Sequence, residues 1–242
     1  MAIPEGVEGD GATWAEATFQ AAWDAIAAVE RAMSRFDPDS DVARFNAARP
    51  GAVVEVCRDT AHVLRVARYL ARCSRGLFDV SLGSGPGAWS LSRAGRAFRL
   101  GKRAAGVRLD LGGIAKGHAV DGAFDALGRG LRGEGAWWVN AGGDLRVHGV
   151  ELPVRLRDEE HGGARPWIHL REGALATSWF GPGARSELSG RTTRGACHVS
   201  VLSPRCLWSD AFTKIVGLTS RTDLPLLARH GATAVLHLPC DR

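Results

Sequence analysis

The segment 110–121, which reads Asp-Leu-Gly-Gly-Ile-Ala-Lys-Gly-His-Ala-Val-Asp, limits the fold and chemistry of this chain more than any other stretch. Hydrophobic spacing predicts a strand over 107–111 that leads through two glycines into a helix beginning at Ile114. Free amides at a helix N-terminus bind anions readily, and Lys116 adds a positive charge in the first turn. Because the helix dipole disfavours a cation there, the pattern indicates an anion opposite Lys116. The alternatives are a solvent-exposed lysine or an ion pair with Asp121.

Composition narrows the class of protein. At 242 residues and 45% hydrophobic content, the chain is long enough to bury a sizeable core. The formal net charge is +5, but the arginines are scattered and no basic block is interleaved with aromatic residues, so we expect no nucleic-acid surface. Five cysteines occur singly, without a Cys-x-x-Cys pair, which argues against a zinc site or a disulfide framework and favours a reducing compartment.

The N-terminus and the hydrophobic runs bear on location. The first ten residues are acidic and contain no apolar stretch, so we expect no secretory signal in the sequence as given. No run approaches the roughly 18 apolar residues that a membrane span needs. We therefore expect a cytoplasmic protein, or an exported one if a leader has been removed. Residues 1–12 are a candidate disordered leader, and 13–242 are expected to form one domain.

Helical and strand patterns are mixed along the chain. Helices are predicted over 14–34, 42–48, 60–74, from 114, 209–218 and 224–230. Strands are predicted over 53–56, 77–80, 97–100, 107–111, 137–140, 145–147, 153–156, 167–170, 175–177, 198–202 and 233–238. The regular alternation of a doubly wound sheet is missing, so the pattern predicts an α+β fold. The polar, glycine-containing stretch 181–195 is predicted to be the most mobile loop.

Four further segments accompany 110–121 in a definite order. Residues 33–46 begin Met-Ser-Arg-Phe, residues 76–83 read Gly-Leu-Phe-Asp-Val-Ser-Leu-Gly, residues 139–144 read Val-Asn-Ala-Gly-Gly-Asp, and residues 209–214 read Ser-Asp-Ala-Phe-Thr-Lys. Together these segments resemble the signature motifs of the ApbE family, flavin transferases that move FMN from FAD onto a threonine or serine of a protein. The match spans about residues 20–220, and five ordered motifs are far more specific than any one of them.

The resemblance implies a fold and a ligand. The fold is an α+β domain of two lobes, with mixed, largely antiparallel sheets flanked by helices, and the ligand is FAD. The FAD-binding residues that it implies are Phe36, Leu77, Phe78, Asp79, Asp110 and Lys116. Core packing is the alternative for Phe36, Leu77 and Phe78, and helix capping is the alternative for Asp110.

The resemblance also implies a magnesium ion. Its ligands would be the backbone carbonyl of Gly113 and the side chains of Asp210 and Thr213, and Asp210 would also be the catalytic residue. The ion would polarise the FAD pyrophosphate while a protein hydroxyl attacks the FMN phosphorus and AMP leaves. The alternative for Asp210 is an acid that only stabilises the first turn of its helix.

The chain departs from the family pattern in three places. The family carries a second hydroxyl ligand four residues beyond the aspartate, where this chain has Lys214, and an ammonium cannot bind magnesium. Three alternatives follow: Thr213 is the only hydroxyl ligand of the ion, or the Lys214 ammonium takes the place of the ion, or Lys214 points to solvent. The family's [HY]-x-I-[DI]-P-x-T-G segment, with a histidine discussed as catalytic, is not matched by 186–195, and the nearby His198 is expected to be structural. At the N-terminus, the family's initial strand with its Met-Gly-Thr element is missing or replaced by the acidic leader.

The expected function is therefore FMN transfer from FAD to a serine or threonine hydroxyl of an acceptor flavoprotein, assisted by magnesium, with release of AMP. The alternatives are a catalytically impaired flavin-binding or carrier protein and a magnesium-dependent FAD pyrophosphatase. Neither the acceptor nor the oligomeric state follows from the sequence. An acidic cluster at 158–161 is expected to be a solvated turn, and Ser178 lacks the Gly-x-Ser-x-Gly context of a hydrolase nucleophile.

Overall fold

The computed structural model describes residues 10–156, 167–181 and 197–237. The helices are α1 (Asp10–Met33), α2 (Asp41–Ala47), α3 (Arg58–Cys73), α4 (Ala115–Gly130), α5 (Cys206–Thr219) and α6 (Pro225–Arg229). The strands are β1 (Val53–Val56), β2 (Trp89–Ala94), β3 (Ala97–Lys102), β4 (Trp137–Ala141), β5 (Asp144–His148), β6 (Leu152–Arg155), β7 (Trp167–Leu170), β8 (Gly173–Phe180), β9 (Cys197–Ser203) and β10 (Thr233–His237). None of the described helices is long and apolar enough to cross a bilayer.

The described strands form three antiparallel sheets. The largest has the order β10-β9-β8-β5-β4, a second has the order β1-β3-β2, and β6 pairs with β7 alone. Helices α4 and α5 pack against each other and against the largest sheet, and α1 packs on α4. This arrangement confirms the α+β prediction with largely antiparallel sheets flanked by helices.

Helix α5 is buried on nearly all sides because it lies between α4 and the largest sheet. Ten of its residues are buried, among them Phe212, Ile215 and Val216. On β8 the residues that face α5 alternate along the strand, as Ala174, Ala176 and Ser178 do. Small side chains on this face let α5 lie close to the sheet, so the polar side chains of both elements meet.

Asp121 of α4 supplies the N-terminal cap that α5 lacks. The N-cap residue of α5, Arg205, makes no side-chain capping bond. Instead the carboxylate of Asp121 accepts the backbone N–H groups of Cys206 and Leu207, both at 3.0 Å, and pairs with Arg146 at 2.9 Å. The alternative that Lys116 pairs with Asp121 is therefore wrong, because this buried carboxylate joins α4 to α5 and to β5.

Gly117 marks the closest approach between α4 and α5. A Cβ atom built on it would lie 2.3 Å from the carbonyl oxygen of Cys206 and 2.9 Å from the Cβ of Asp210. No rotamer change relieves a contact with backbone, so only glycine fits unless the helices move apart. Gly122, one and a half turns further along α4, leaves ordinary space, with the Cβ of Ala25 at 3.7 Å.

We expect Gly117→Ala to lower the free energy of unfolding by about 1–3 kcal/mol, because the added methyl group overpacks the α4–α5 contact. Gly122→Ala is the matched control and should raise it by about 0.5–1 kcal/mol, because alanine favours a helix over glycine. Urea denaturation of the two variants checks this. Equal effects at both positions would show that α4 and α5 do not meet at Gly117.

Two predicted strands are absent because side chains satisfy their backbone groups. In the 77–80 stretch, the hydroxyl of Ser74 accepts the N–H of Phe78. The Asp79 carboxylate accepts the N–H groups of Ser81, Gly83 and Gly85, which folds the chain directly after this stretch into turns. In the 107–111 stretch, Asn46 takes the place of a neighbouring strand. Its side-chain amide donates to the carbonyl of Leu109 and accepts the N–H of the same residue, at 2.9 and 2.7 Å.

Two other elements, strand β2 and the start of helix α1, differ from the prediction. Strand β2 was not predicted, although the two-residue turn Gly95-Arg96 between β2 and β3 is the sequence signal of a hairpin. Helix α1 begins at Asp10, inside the stretch predicted as a disordered leader, because each residue added to a nucleated helix gains a hydrogen bond. The rest of that leader, the 158–161 cluster and the 182–195 part of the predicted loop lie outside the described residues.

Candidate functional site

Four charged side chains meet where α4, α5 and β5 come together. We call Lys116, Asp144, Asp210 and Lys214 the Lys–Asp network, or the network. The Nζ atom of Lys116 lies 2.9 Å from Oδ1 of Asp210 and 3.0 Å from Oδ2 of Asp144. The Nζ atom of Lys214 lies 2.9 Å from the same Oδ1 of Asp210. Two ammonium groups and two carboxylates thus form one continuous network.

Asp210 is the centre of this network. Its side chain is fully buried, and its second oxygen accepts the backbone N–H of Gly117 at 3.2 Å. Burial disfavours the ionised carboxylate, but the ammonium groups of Lys214 and Lys116 outweigh burial and lower the pKa of Asp210 to about 2. Asp210 therefore stays ionised and holds both lysines in place. Its catalytic role stays a prediction, and what the structure shows is that Asp210 positions the two lysines.

Lys116 and Asp144 differ in exposure. Burial opposes the charge on Lys116, but Asp210 and Asp144 outweigh it and raise the pKa of the lysine. Burial and the nearby charge of Asp210 raise the pKa of Asp144 to about 6. The side chain of Lys116 is 52% exposed, whereas that of Asp144 is 3% exposed. Lys116 is thus the member of the pair that an anion from solution can reach.

The network explains why a lysine, Lys116, lies in the first turn of α4. The helix dipole opposes Lys116, and two carboxylates from other elements compensate it. The two alternatives for Lys116 were a lysine exposed to solvent without an ion-pair partner and an ion pair with Asp121. Both are wrong, because Lys116 pairs with Asp144 and Asp210. The network is neutral when all four groups are charged, so a bound anion would meet a preorganised ammonium group whose position is already set.

Lys214 faces inward. Its side chain is 15% exposed, and its Nζ atom donates to Oγ of Ser178 at 2.7 Å and to Oγ1 of Thr213 at 2.9 Å, in addition to Asp210. The hydroxyl of Thr213 donates to the backbone carbonyl of Asp210 at 2.7 Å, and the hydroxyls of Ser178 and Thr213 are 2.8 Å apart. Three interpretations of Lys214 were open from the sequence, and the structure excludes the one in which its side chain points to solvent.

The arrangement does not fit a divalent ion at the predicted magnesium position. Magnesium binds oxygen atoms at about 2.0–2.1 Å in near-octahedral geometry. The carboxylate of Asp210 and the hydroxyl of Thr213, both predicted ligands, instead accept hydrogen bonds from the Lys214 ammonium. Within the described ranges, no three His, Cys, Asp or Glu side chains are grouped as a metal site. Gly113 is buried in the turn before α4, and its role as a carbonyl ligand stays a prediction.

The other end of the 110–121 segment joins two further motifs. Asp110 binds the guanidinium of Arg35 at 3.4 Å, and its N–H donates to the carbonyl of Val80 at 2.8 Å. Its side chain also accepts the N–H of Gly112 at 2.8 Å, which shapes the turn before α4. Phe36, next to Arg35, is 82% exposed, which excludes the core role that was its alternative. An exposed aromatic ring beside this turn is available to a planar ligand.

The 76–83 motif has mixed placements. Leu77 is partly buried, and Asp79 is buried because its carboxylate organises the loop that follows. Phe78 is 0% exposed and belongs to the largest hydrophobic core. Its side chain packs in the core, the alternative stated from the sequence, and a contact of Phe78 with FAD stays a prediction.

The sequence analysis did not predict Asp144, a member of the network, or Ser178, a hydrogen-bond partner of Lys214, as site residues. Asp144 belongs to the Asn-Ala-Gly-Gly-Asp motif, and its position directly after a glycine turn at the start of β5 was the available signal. The residues around Ser178 exclude only a hydrolase nucleophile and carry no local signal for a site role. Its place in the alternation of β8, on the same face as Ala174 and Ala176, shows that it points towards α5.

Known proteins resemble this chain in sequence. The model of the ApbE family matches residues 6–236. A protein of Rhodobacter capsulatus named FAD:protein FMN transferase is 31% identical over 237 aligned residues, which cover 79% of this chain. The chain spans 44% of the length of that relative.

Solved structures resemble it in fold. An ApbE protein from Thermotoga maritima superposes with a TM-score of 0.78 and 21% identity, covering 96% of this chain and 88% of that one. The flavinyl transferase ApbE of Pseudomonas stutzeri, in its apo form, gives a TM-score of 0.74 and 22% identity, covering 94% of this chain and 84% of that one.

The five motifs quoted from the sequence are thus close together in space around one segment. Motifs 33–46 and 76–83 meet 110–121 at Asp110, and motifs 139–144 and 209–214 meet it at Lys116. The ApbE family model matches nearly the whole described chain, and the fold agrees with that of solved ApbE proteins. This chain belongs to the ApbE family.

Proposed function

We propose that this protein binds FAD along the 110–121 segment and transfers its FMN part to a serine or threonine hydroxyl of an acceptor protein. One observation carries the proposal: the four other family motifs all contact this single segment, two at its Asp110 end and two at its Lys116 end. Membership of the family and the name of the Rhodobacter relative support the same activity.

The transfer is a phosphoryl-group substitution. The hydroxyl oxygen of the acceptor forms a bond to the FMN phosphorus, and the bond from that phosphorus to the bridging oxygen breaks. AMP leaves with the bridging oxygen, and the hydroxyl proton passes to a base or to water. Negative charge accumulates on the pyrophosphate oxygens, so catalysis depends on fixed positive charge and on positioning.

The residues of this chain divide that work. Lys116, half exposed and held between Asp144 and Asp210, would place its ammonium group beside the pyrophosphate. Phe36, exposed near the same turn, would stack on the planar flavin. Asp210 would act through the lysines it holds, because it is fully buried.

A flavin-binding role without transfer is the second candidate. The ammonium group of Lys214 among the predicted metal ligands favours it, because a single positive charge replaces the double charge that the family chemistry would use. The sequence of 186–195, which lacks the family histidine, favours it too. Binding of FAD is common to both candidates, so the test has to separate binding from AMP release.

The experiment uses purified protein, FAD and a flavin-free extract of the cells that carry the gene. FAD binding is measured by quenching of flavin fluorescence, AMP by chromatography, and covalent flavin by in-gel fluorescence. Transfer predicts AMP release together with a fluorescent acceptor band. AMP without a band indicates a pyrophosphatase, bound FAD without AMP indicates a carrier, and absence of FAD binding overturns all three.

Lys116→Gln tests the proposed binding residue. We expect it to weaken FAD binding at least about tenfold, equivalent to about 1.4 kcal/mol, because a charge-assisted contact to the pyrophosphate is lost. Arg96→Gln, in the exposed β2–β3 turn, removes the same charge far from the segment and should leave FAD affinity unchanged. Equal effects of the two substitutions would place the pyrophosphate elsewhere.

A further inference from the structure

The oxygen atoms around Lys214 bind its ammonium group, in the place where a divalent ion was predicted. The three N–H groups of its ammonium each have an oxygen partner: Oγ of Ser178 at 2.7 Å, Oδ1 of Asp210 at 2.9 Å and Oγ1 of Thr213 at 2.9 Å. The backbone carbonyl of Asp210 lies 3.4 Å away. These are a carboxylate, two hydroxyls and a carbonyl, which are the hard oxygen donors that also bind magnesium.

The hydroxyl groups are oriented for a positive charge. Thr213 uses its proton in the bond to the carbonyl of Asp210, so its lone pairs remain for Lys214. Ser178 can then give its proton to Thr213, at 2.8 Å, and accept from Lys214 in turn. Both hydroxyl protons then have an acceptor, and the oxygen atoms that point at the Nζ position receive a donor only when a cation sits there. A neutral side chain there would leave buried oxygen atoms unsatisfied.

We propose that the ammonium group of Lys214 is a tethered replacement for a divalent ion, so that this protein binds the pyrophosphate of FAD independently of divalent metals. The part concerning FAD rests on the proposed function; the part concerning metal does not. The tethered cation carries one charge instead of two, and it cannot dissociate. Lys116, which shares Oδ1 of Asp210 with Lys214, supplies the second positive charge. Lys116 is the exposed one of the two and would contact the pyrophosphate, whereas Lys214 would add its charge from a buried position.

A tethered cation has a measurable consequence that a merely structural lysine lacks. A chelator removes a bound metal ion but leaves an ammonium group in place. The FAD affinity of the native protein should therefore agree within about twofold in excess EDTA and in excess magnesium, a difference of no more than about 0.4 kcal/mol. Native protein should also bind no Mn²⁺ at this position, as measured by electron paramagnetic resonance without flavin.

Lys214→Thr restores a hydroxyl beside Ser178, Thr213 and Asp210, and opens room for an ion. We expect this variant to gain one Mn²⁺ site, and to bind FAD at least about tenfold more tightly in magnesium than in EDTA, equivalent to about 1.4 kcal/mol. Lys214→Met is the matched control because it removes the charge without adding an oxygen. It should lose FAD affinity in both conditions and gain no Mn²⁺ site.

Two results would overturn the inference: a Mn²⁺ site in the native protein that Asp210→Asn abolishes, or native FAD binding that requires magnesium. A Lys214→Thr variant with no gain in Mn²⁺ binding, while remaining folded by circular dichroism, would also count against it. If the variant does not fold, the native measurements in EDTA and magnesium still decide. If FAD does not bind in either condition, the proposed function fails, whereas the Mn²⁺ measurement still tests the role of Lys214.

Discussion

Asp210→Asn should lower the free energy of unfolding by about 3–5 kcal/mol, because two ammonium groups at least partly removed from water lose their shared carboxylate. For a protein of this size the loss corresponds to a fall in melting temperature of roughly 10 °C. Asparagine keeps the volume of the side chain, so packing of α5 is not the cause. Lys214, only 15% exposed, would retain neutral partners alone. Urea denaturation and thermal melting measure the effect.

A double-mutant cycle separates charge from packing. Asp210→Asn combined with Lys214→Met removes the carboxylate and one of the stranded ammonium groups, so it should cost less than Asp210→Asn alone. Asp24→Asn is the exposed control, in which only a hydrogen bond to Gln20 is disturbed, and should change stability by less than about 0.5 kcal/mol. A loss below about 1 kcal/mol for Asp210→Asn would contradict the network.

Asp121→Asn should cost about 3 kcal/mol or more, because one buried carboxylate serves both as the cap of α5 and as the partner of two arginines. An asparagine retains a single acceptor oxygen, so one of the N–H groups of Cys206 and Leu207 loses its bond. The freed N–H lies at the buried start of α5, where water does not replace the lost partner.

Asp125→Asn is the matched control for this substitution. Asp125 lies one turn along α4 and pairs with the same two arginines, Arg146 and Arg205, but its side chain is 39% exposed and it accepts neither N–H group of α5. We expect a cost below about 1 kcal/mol. Similar losses for Asp121→Asn and Asp125→Asn in urea denaturation would show that the arginine pairs, not the helix cap, carry the energy.

The local patterns of the sequence predicted most helices and the strands of the largest sheet. Helix α4 and strands β4 and β5 follow from periodicity and from the glycines between them, since these signals act over a few residues. The same reasoning failed where a distant side chain replaces a strand partner. Asn46 satisfies Leu109 across 63 positions, and no local pattern contains that information.

The candidate site shows the same division. The sequence pattern predicted Lys116 in the first turn of a helix, where the helix dipole requires a negatively charged partner. Its partners, Asp144 and Asp210, lie 28 and 94 positions away. Side chains so far apart meet only because α4 packs against α5 at Gly117 and against β5 beside it.

Residue type and local spacing were enough to establish the family resemblance, the α+β class and the five motifs, because none of these depends on contacts between distant residues. They left three interpretations of Lys214 open. Only the tertiary structure decided that its ammonium group turns inward, because the choice depends on Ser178 of β8 and on the buried carboxylate of Asp210 being in reach at the same point. An unpaired charge is costly away from water, so the packing of α5 against β8 sets where this cation lies.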